Sequence, residues 1–222
     1  MAKILFLDTS GADSVIALLD NGSVLAEREN NNPKDHAAFL NVGVQQLFQE
    51  TRLDFKALDA VAVMAGPGSY TGLRVSVAAA KGYCYALNIP LLAINKLEIL
   101  ARQALSAAPV RPVLAALPAR SGEWYAALLN TDGDFDQEPK HGTDADLIEW
   151  IEPFHGDISW TGSSIIDPFT ELDIVYNDPD SKPNIQFVGE FVMRLWKESR
   201  FENIAGFSPY YLKSVYLTNA KG

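Results

Sequence analysis

The sequence is poor in the residue types that build disulfides and metal sites. It has a single cysteine, Cys84, and three histidines, His36, His141 and His155, among its 222 residues. One cysteine excludes an internal disulfide and a thiolate cluster within the chain, and its place between two tyrosines in an apolar segment predicts core packing. The histidines lie far apart, without the H-E-x-x-H spacing of zinc enzymes. The sequence therefore argues against a metalloenzyme.

Basic residues and long apolar runs are scarce as well. The 18 Lys and Arg residues are outnumbered by 28 Asp and Glu residues, and the net charge is −10. This charge repels a polyanion unless the basic residues cluster on one face, so we do not expect the chain alone to bind RNA tightly. No apolar run approaches the length of a membrane span, and the N-terminal run meets Asp8 too early for a secretory signal. We therefore expect a cytoplasmic protein that does not bind a membrane.

The most informative segment is a glycine-rich junction, residues 65–74, between an apolar strand and a helix. The strand, residues 60–64, has the continuous apolar character of one buried on both faces, and residues 75–87 read as helix. Backbone amides at a helix N-terminus lack intrahelical partners and lie at the positive end of the helix dipole. The junction is therefore a candidate phosphate loop.

The spacing within this junction departs from the two common phosphate-binding patterns. The P-loop requires a Lys before Ser or Thr, and Thr71 stands where G-x-G-x-x-G needs its third glycine. The alternative is that the junction is purely structural and binds no ligand. Pro67 and Gly68 would then make a tight turn, Ser69 or Thr71 would cap the helix, and Gly72 would avoid a steric clash. Both interpretations stay open at the level of sequence.

Hydrophobic periodicity predicts the same βββαβα order twice along the chain. Hydrophobic residues make up 48% of it, enough for one large domain or two of about 100 residues. The Asn21-Gly22 pair predicts a hairpin, and antiparallel hairpins exclude a pure Rossmann arrangement. We expect an α/β fold with two similar mixed-sheet subdomains, residues 1–107 and 108–222, the last residues packing back on the first subdomain. The predicted strands are 4–8, 14–20, 23–28, 59–64, 90–94, 112–117, 123–130, one near 135, 158–161 and 174–176, and the helices 36–51, 72–87, 96–107, 143–151 and 184–197.

The helix after the glycine junction carries apolar residues on two sides. One stripe can cover the sheet, and the second then needs a neighbouring helix or another chain, because large apolar patches are rare on soluble proteins. The preceding helix, residues 36–51, extends this surface. We hypothesise a partner-binding face, with ordinary burial inside the subunit as the alternative. Its candidate residues are Phe39, Leu40, Val44, Leu47, Arg74, Val75, Ala78, Ala79, Lys81 and Gly82.

Two motifs, Leu7-Asp8-Thr9-Ser10 and residues 66–75, resemble those of the TsaB (YeaZ) family, a subunit of the bacterial tRNA threonylcarbamoyladenosine machinery. The second motif is highly specific. The resemblance extends through residues 95–98 and 119–125 and to residues 209–213, so it covers most of the chain. It implies the actin-like ATPase (ribonuclease H-like) fold, whose duplicated plan agrees with the repeat described above.

The resemblance also implies a role. Family members are generally non-catalytic partners of TsaD, pair with it through the first two helices, and work with the ATPase TsaE. TsaD transfers threonylcarbamoyl to N6 of adenosine 37 in tRNAs that read codons beginning with A. We therefore expect a subunit that is not an enzyme by itself, contacts tRNA only through the complex and forms a homodimer in isolation. The complex uses ATP and Mg, whereas this chain alone binds no cofactor tightly and has no paired histidines for a metal.

Departures from the family pattern concern polar positions. Pro118 stands where the family usually has Asp, the histidine helix begins His36-Ala37-Ala38 instead of His-Ser-Glu, and Lys213 replaces a common Arg. Gly162 is a single glycine where ATP-binding relatives tend to have a pair. The resemblance therefore does not imply ATP hydrolysis by this chain alone.

Two enzyme classes are the alternatives to a scaffold. An actin-like ATPase or kinase would place Asp8 near a metal-bound phosphate, although a strand-end turn capped by short polar side chains explains the same residues. A peptidase lacks a metal site, and the residues around Ser69 and Ser163 do not fit the G-x-S-x-G nucleophile pattern. The candidates for a vestigial phosphate loop are Asp8, Thr9, Ser10, Gly66, Gly68, Ser69 and Thr71.

Overall fold

The computed structural model describes residues 1–32, 35–107, 110–120, 122–154, 157–162, 175–176 and 182–213. His155, Ser163 and the first residue of the predicted strand 174–176 lie outside these ranges. The strands are Lys3–Asp8 (β1), Ser14–Asp20 (β2), Ser23–Asn30 (β3), Ala60–Gly66 (β4), Leu91–Asn95 (β5), Val113–Arg120 (β6), Glu123–Leu129 (β7), Phe135–Thr143 (β8), Ser159–Gly162 (β9) and Val175–Tyr176 (β10). The α-helices are His36–Thr51 (α1), Tyr70–Leu87 (α2), Lys96–Ala107 (α3), Asp144–Ile151 (α4) and Ile185–Lys197 (α5).

Two five-stranded sheets share one topology. The first has the order β3-β2-β1-β4-β5, and the second, taken from its opposite edge, has the equivalent order β8-β7-β6-β9-β10. In each sheet the first strand of the half lies at the centre, antiparallel to the second and parallel to the fourth. The prediction of an α/β fold with two similar mixed sheets is confirmed.

Local sequence accounts for the ends of these elements. Asn21 and Gly22 have φ angles of 52° and 88°, as the predicted hairpin between β2 and β3 requires. Thr143 caps α4 through a capping box with Asp146, and Asn184 caps α5 by accepting hydrogen bonds from the first helical amides. The predicted helices at 36–51 and 96–107 are confirmed at both ends. The predicted strand at 14–20 is also confirmed at both ends, whereas several other boundaries shift: β6 continues through Arg120, and the strand expected near residue 135 extends through Thr143.

Each sheet is covered on both faces, and two helices exchange partners between the halves. Helices α1 and α2 pack on one face of the first sheet, and α4 packs on one face of the second. The other face of each sheet is covered by a helix from the opposite half of the sequence. Helix α3 follows the first sheet in sequence but packs mainly on the second through Leu97, Leu100 and Ala101, while its Ile99 joins the core of the first. Helix α5 packs on the first sheet through Phe191 and Val192. The division into residues 1–107 and 108–222 therefore describes the sequence repeat, and the cores interlock across it. None of the described helices is long and apolar enough to cross a bilayer.

The segment after α5, residues 200–213, is here called the C-terminal strap. It runs across the open edge of β5, along α2, over the glycine junction and on to the second sheet. Its hydrogen bonds and ion pair, in order along the strap, are Glu202 N to Leu91 O at 2.9 Å, Lys81 Nζ to Phe207 O at 2.9 Å, Tyr210 N to Ala65 O at 2.8 Å, and Lys213 Nζ to the Glu123 carboxylate. One segment therefore contacts both subdomains and helix α2.

Candidate functional site

The glycine junction is bonded directly to the loop that follows β1. Thr9 Oγ1 donates to the Gly72 carbonyl oxygen at 2.6 Å, and the Ser69 amide donates to the Ser10 carbonyl oxygen at 2.7 Å. Ser69 also caps α2, because its hydroxyl accepts from the Gly72 amide at 3.3 Å. The strand that ends at Asp8 and the helix that begins at Tyr70 are therefore held together by their own loops.

Two glycines permit this close approach. A Cβ atom at Gly72 would overlap the carbonyl oxygen of Thr9, and one at Gly68 would overlap that of Ser10. Gly66 has a φ of +123°, and a Cβ there would lie 2.9 Å from the Tyr210 carbonyl oxygen. Packing of this loop pair accounts for the glycines without any ligand.

The carboxylate of Asp8 is buried and held from within the chain. Asp8 is 7% exposed, and its Oδ1 accepts from the Ser10 amide at 2.7 Å. Lys96, 8% exposed, places its Nζ 3.3 Å from Ser10 Oγ and 4.0 Å from Asp8 Oδ2. Thr9 and Ser10 are buried as well, whereas Thr71 is exposed. The polar side chains of residues 8–10 therefore have partners inside the fold.

A cleft of about 890 Å³ lies between the two sheets, beside this loop pair. Lys96, Arg120 and Lys213 bring positive charge to it, although the whole chain has a net charge of −10. His36 also lines the cleft, and its Nδ1 is hydrogen-bonded to the buried hydroxyl of Ser14. Among the residues that the structure describes, no group of three or more His, Cys, Asp or Glu side chains could hold a metal ion. The aromatic lining consists of Tyr70, Tyr125, Tyr210 and Tyr211.

The C-terminal strap closes one side of this cleft. The ring of Tyr211 lies against that of Tyr70, with 4.7 Å between centroids. Beyond it, the Glu123 carboxylate pairs with Lys213, and Glu123 Oε2 lies 3.1 Å from His141 Nε2. The hydrogen bond from Lys213, and then that from His141, lower the pKa of Glu123 below its usual value. This carboxylate therefore fastens the end of the strap to the second sheet.

The helix pair α1–α2 presents a different surface from the one expected from sequence. Leu40, Val44 and Leu47 are fully buried against the first sheet, so their side chains are not available to a partner. They point inward because they share the face of α1 that covers the sheet. Phe39, Val75 and Ala79 are half-buried, Arg74 lies over the ring of Tyr70, and Lys81 is engaged by the strap; Ala78 and Gly82 are exposed.

Two large apolar side chains that the candidate set omitted are exposed on the same pair of helices. Val42 is 54% exposed and Tyr85 is 84% exposed. Tyr85 follows Gly82 by three residues and Ala78 by seven, and this spacing places all three on one helical face. That periodicity was the signal available in the sequence. The docking face is defined here by Val42, Ala78, Gly82, Tyr85 and Ala86, which are all exposed.

The lone cysteine lies beneath this face. Cys84 is fully buried in the core that α1 and α2 share with the first sheet. Burial raises the pKa of its thiol to about 11, so the thiol stays protonated and unreactive at neutral pH. The structure therefore gives Cys84 the packing role that the sequence predicts.

Two glycines of α2 provide a matched test of the loop contact. We expect Gly72→Ala to lower the free energy of unfolding by about 3 kcal/mol, because the new methyl group overlaps the backbone of Thr9. A Cβ at Gly82 meets no atom within 4 Å, so Gly82→Ala should raise stability by about 1 kcal/mol through helix propensity. Urea denaturation measures both. Equal effects of the two substitutions would contradict the close approach at Gly72.

The strap contact is tested at Lys213. Lys213→Met removes the ion pair with Glu123, and we expect amide hydrogen exchange in residues 207–213 to rise about tenfold, measured by mass spectrometry. Lys197→Met, at the exposed end of α5, is the control and should leave this exchange unchanged. Because the pKa of Glu123 is lowered in the folded chain, the pair contributes at neutral pH and is lost as the pH falls below the ordinary carboxylate range. Unaltered exchange in the Lys213 variant would show that the strap is held by its other contacts.

The chain is similar to known proteins both at the level of a family and at the level of individual relatives. The model of the family described as TsaD, tRNA N6-adenosine threonylcarbamoyltransferase, matches residues 23–145, which are 123 of the 222 residues. A TsaB protein of Bacillus subtilis is 31% identical over 67% of this chain and 64% of its own length. A TsaB protein of Escherichia coli is 31% identical over 59% of this chain and 56% of its own. The chain thus spans between half and two thirds of the length of these curated relatives.

The fold is similar over almost the whole chain to a solved structure. A crystal structure from Pseudomonas aeruginosa, of a protein described as similar to the peptidase YEAZ, has a TM-score of 0.81 and 26% identity. It covers 96% of this chain and 100% of that protein. The family-model match, the TsaB relatives and this fold together show that the chain belongs to the TsaB (YeaZ) family.

Proposed function

We propose that this chain takes part in tRNA threonylcarbamoyladenosine biosynthesis as a non-catalytic subunit that pairs with a TsaD-like catalytic subunit. The product of the complex would be N6-threonylcarbamoyladenosine at position 37 of tRNAs that read codons beginning with A. The observation that carries this proposal is the exposed apolar docking face on α1 and α2. The names of the related proteins, TsaB and tRNA N6-adenosine threonylcarbamoyltransferase, supply the pathway and the partner.

The chemistry of the docking face suits a helical partner. Ala78, Gly82 and Ala86 are small residues and allow the backbone of a second helix to approach closely. Val42 on α1 and Tyr85 on α2 leave large apolar surfaces in water. Burial of each of these two side chains contributes roughly 1.5–3 kcal/mol, part of which the ordering of the two chains offsets. Such a face stabilises a complex without touching a substrate.

The loop geometry supports a non-catalytic role for this chain. Asp8, Thr9 and Ser10 are buried, and the glycine junction packs directly on them. In this proposal, ATP and Mg act on the other subunits, including a TsaE-like ATPase, and tRNA is contacted through the complex. A homodimer formed by the isolated chain would use the same docking face and would compete with the heterodimer. The proposed location of this assembly is the cytoplasm.

An ATPase or kinase is the second candidate, and the tyrosine-lined cleft of about 890 Å³, which Arg120 also lines, favours it. Calorimetry of the isolated chain with ATP and magnesium separates the two candidates. Tight binding by this chain alone would support the enzyme, whereas the scaffold proposal expects no tight binding. A peptidase has no comparable support among the described residues, which form neither a metal cluster nor an exposed nucleophile paired with a base.

Depletion of the chain from its native cells tests the pathway. We expect the threonylcarbamoyladenosine content of bulk tRNA to fall several-fold, because the catalytic subunit loses its stabilising partner. Nucleoside analysis by mass spectrometry measures the change, and re-expression of the wild type should reverse it. A normal content of the modified nucleoside after depletion would refute the proposed pathway.

Charge placed on the docking face tests the pairing. Ala78→Glu or Gly82→Glu buries an unpaired carboxylate if a partner covers this face, so the Kd for the TsaD-like subunit should rise at least about 100-fold. Both positions are exposed in the isolated chain, so stability should stay within about 0.5 kcal/mol of the wild type for Ala78→Glu and should not fall for Gly82→Glu, where helix propensity favours the substitution. Ala145→Glu, at an exposed position of α4, is the matched control. Pull-down and biolayer interferometry measure the pairing, and unaltered affinity of both face variants would move the interface elsewhere.

A further inference from the structure

Lys96 occupies an unusual place for a lysine. It is the first residue of α3 and is almost fully buried, with its ammonium group between the Asp8 carboxylate and the Ser10 hydroxyl. A Cβ at Gly11 would lie only 3.2 Å from Lys96 Nζ, so a residue without a side chain stands where the ammonium group enters the loop. A buried ammonium group costs several kcal/mol of desolvation unless it is paired. Its placement therefore depends on Asp8.

The charge of Lys96 also separates two cavities. On one side lies the cleft of about 890 Å³ between the sheets, and on the other a cavity of about 390 Å³ beneath α5; Lys96 lines both. The smaller cavity is acidic. Its charged lining consists of Asp8, Asp13, Glu27, Glu29, Lys96 and Lys182, of which Lys182 pairs with Asp13 at 2.6 Å.

The geometry points to Lys96 as a resident counter-cation: we propose that its ammonium group supplies the positive charge that a magnesium–phosphate ligand would otherwise bring to Asp8. The actin-like ATPase superfamily implies such a ligand at this loop, and the residues present do not fit it. Asp8 already accepts the Ser10 amide and faces Lys96. Thr9 and Ser10 are bonded to the glycine junction, which leaves their polar groups engaged. The loop therefore holds its shape without a divalent ion, whatever partner covers the docking face.

This assignment predicts a gain of divalent-cation dependence when the lysine charge is removed. Wild-type chain should change its Tm by less than about 1 °C in about 10 mM MgCl₂. Lys96→Met keeps most of the side-chain volume but leaves Asp8 unpaired, so its Tm should fall by about 5 °C or more. Magnesium can then enter from either cavity and should restore about 3 °C of this loss. A lysine that only fills space would give no such response to magnesium.

Two further variants decide between a charge effect and a packing effect. Lys96→Arg keeps the positive charge and should show no magnesium response. Combining Asp8→Asn with Lys96→Met removes both charges, and this double variant should be more stable than Lys96→Met and insensitive to magnesium. Equal magnesium responses of wild type and Lys96→Met, or none in either, would overturn the proposal. If Lys96→Met does not fold, the double variant decides: recovered folding supports the counter-cation, and continued failure refutes it.

Calorimetry of the wild type supplies an independent measurement. Titration with magnesium and inorganic phosphate should give no binding heat at the Asp8 loop, because Lys96 already neutralises its carboxylate. Magnesium-dependent phosphate binding that Asp8→Asn abolishes would overturn the proposal. This result is distinguishable from a failure of the proposed function, which concerns pairing through α1 and α2 and the modified nucleoside in tRNA.

Discussion

The direct bonding of the β1 loop to the start of α2 is the contact on which the rest of the structure depends. Thr9 and Ser10 supply a hydroxyl donor and a carbonyl acceptor, and Gly68 and Gly72 supply the space that brings the two backbones together. This contact fixes α2 on the sheet, with Leu73, Val77 and the other residues of its inner stripe buried. The orientation of the outer stripe, and so of the docking face, follows from it.

The exchange of helices between the halves makes a single unit of two repeats. Because α3 covers the second sheet and α5 covers the first, neither half could bury its inner face alone. The C-terminal strap adds a third connection, from the edge of β5 to Glu123 on β7. The cleft between the sheets is consequently lined by segments from both halves of the sequence.

The described part of the chain combines a buried loop, whose polar groups are paired within the fold, with an exposed apolar face on α1 and α2. The loop around Asp8 satisfies its own polar groups, with Lys96 as the internal cation. The face on α1 and α2 leaves Val42 and Tyr85 in water. This combination is consistent with the proposed scaffold role, because a surface that stabilises a partner must exist before the partner arrives, and a buried loop keeps its stability only if its charges are neutralised.

The sequence by itself determined the order of the elements and the duplicated βββαβα plan, because these depend on local periodicity. It also determined the Asn21-Gly22 hairpin turn and the Thr143 helix cap, because these depend on local turn chemistry. It also indicated that α2 has two apolar sides. Only the tertiary structure decided which of the candidate residues reach the surface: Leu40, Val44 and Leu47 share the apolar periodicity of an interface but cover the sheet, and Tyr85 faces water instead. The pairing of Lys96 with Asp8, 88 positions apart in the chain, and the exchange of α3 and α5 are likewise properties of the folded chain, since they join segments that no local pattern connects.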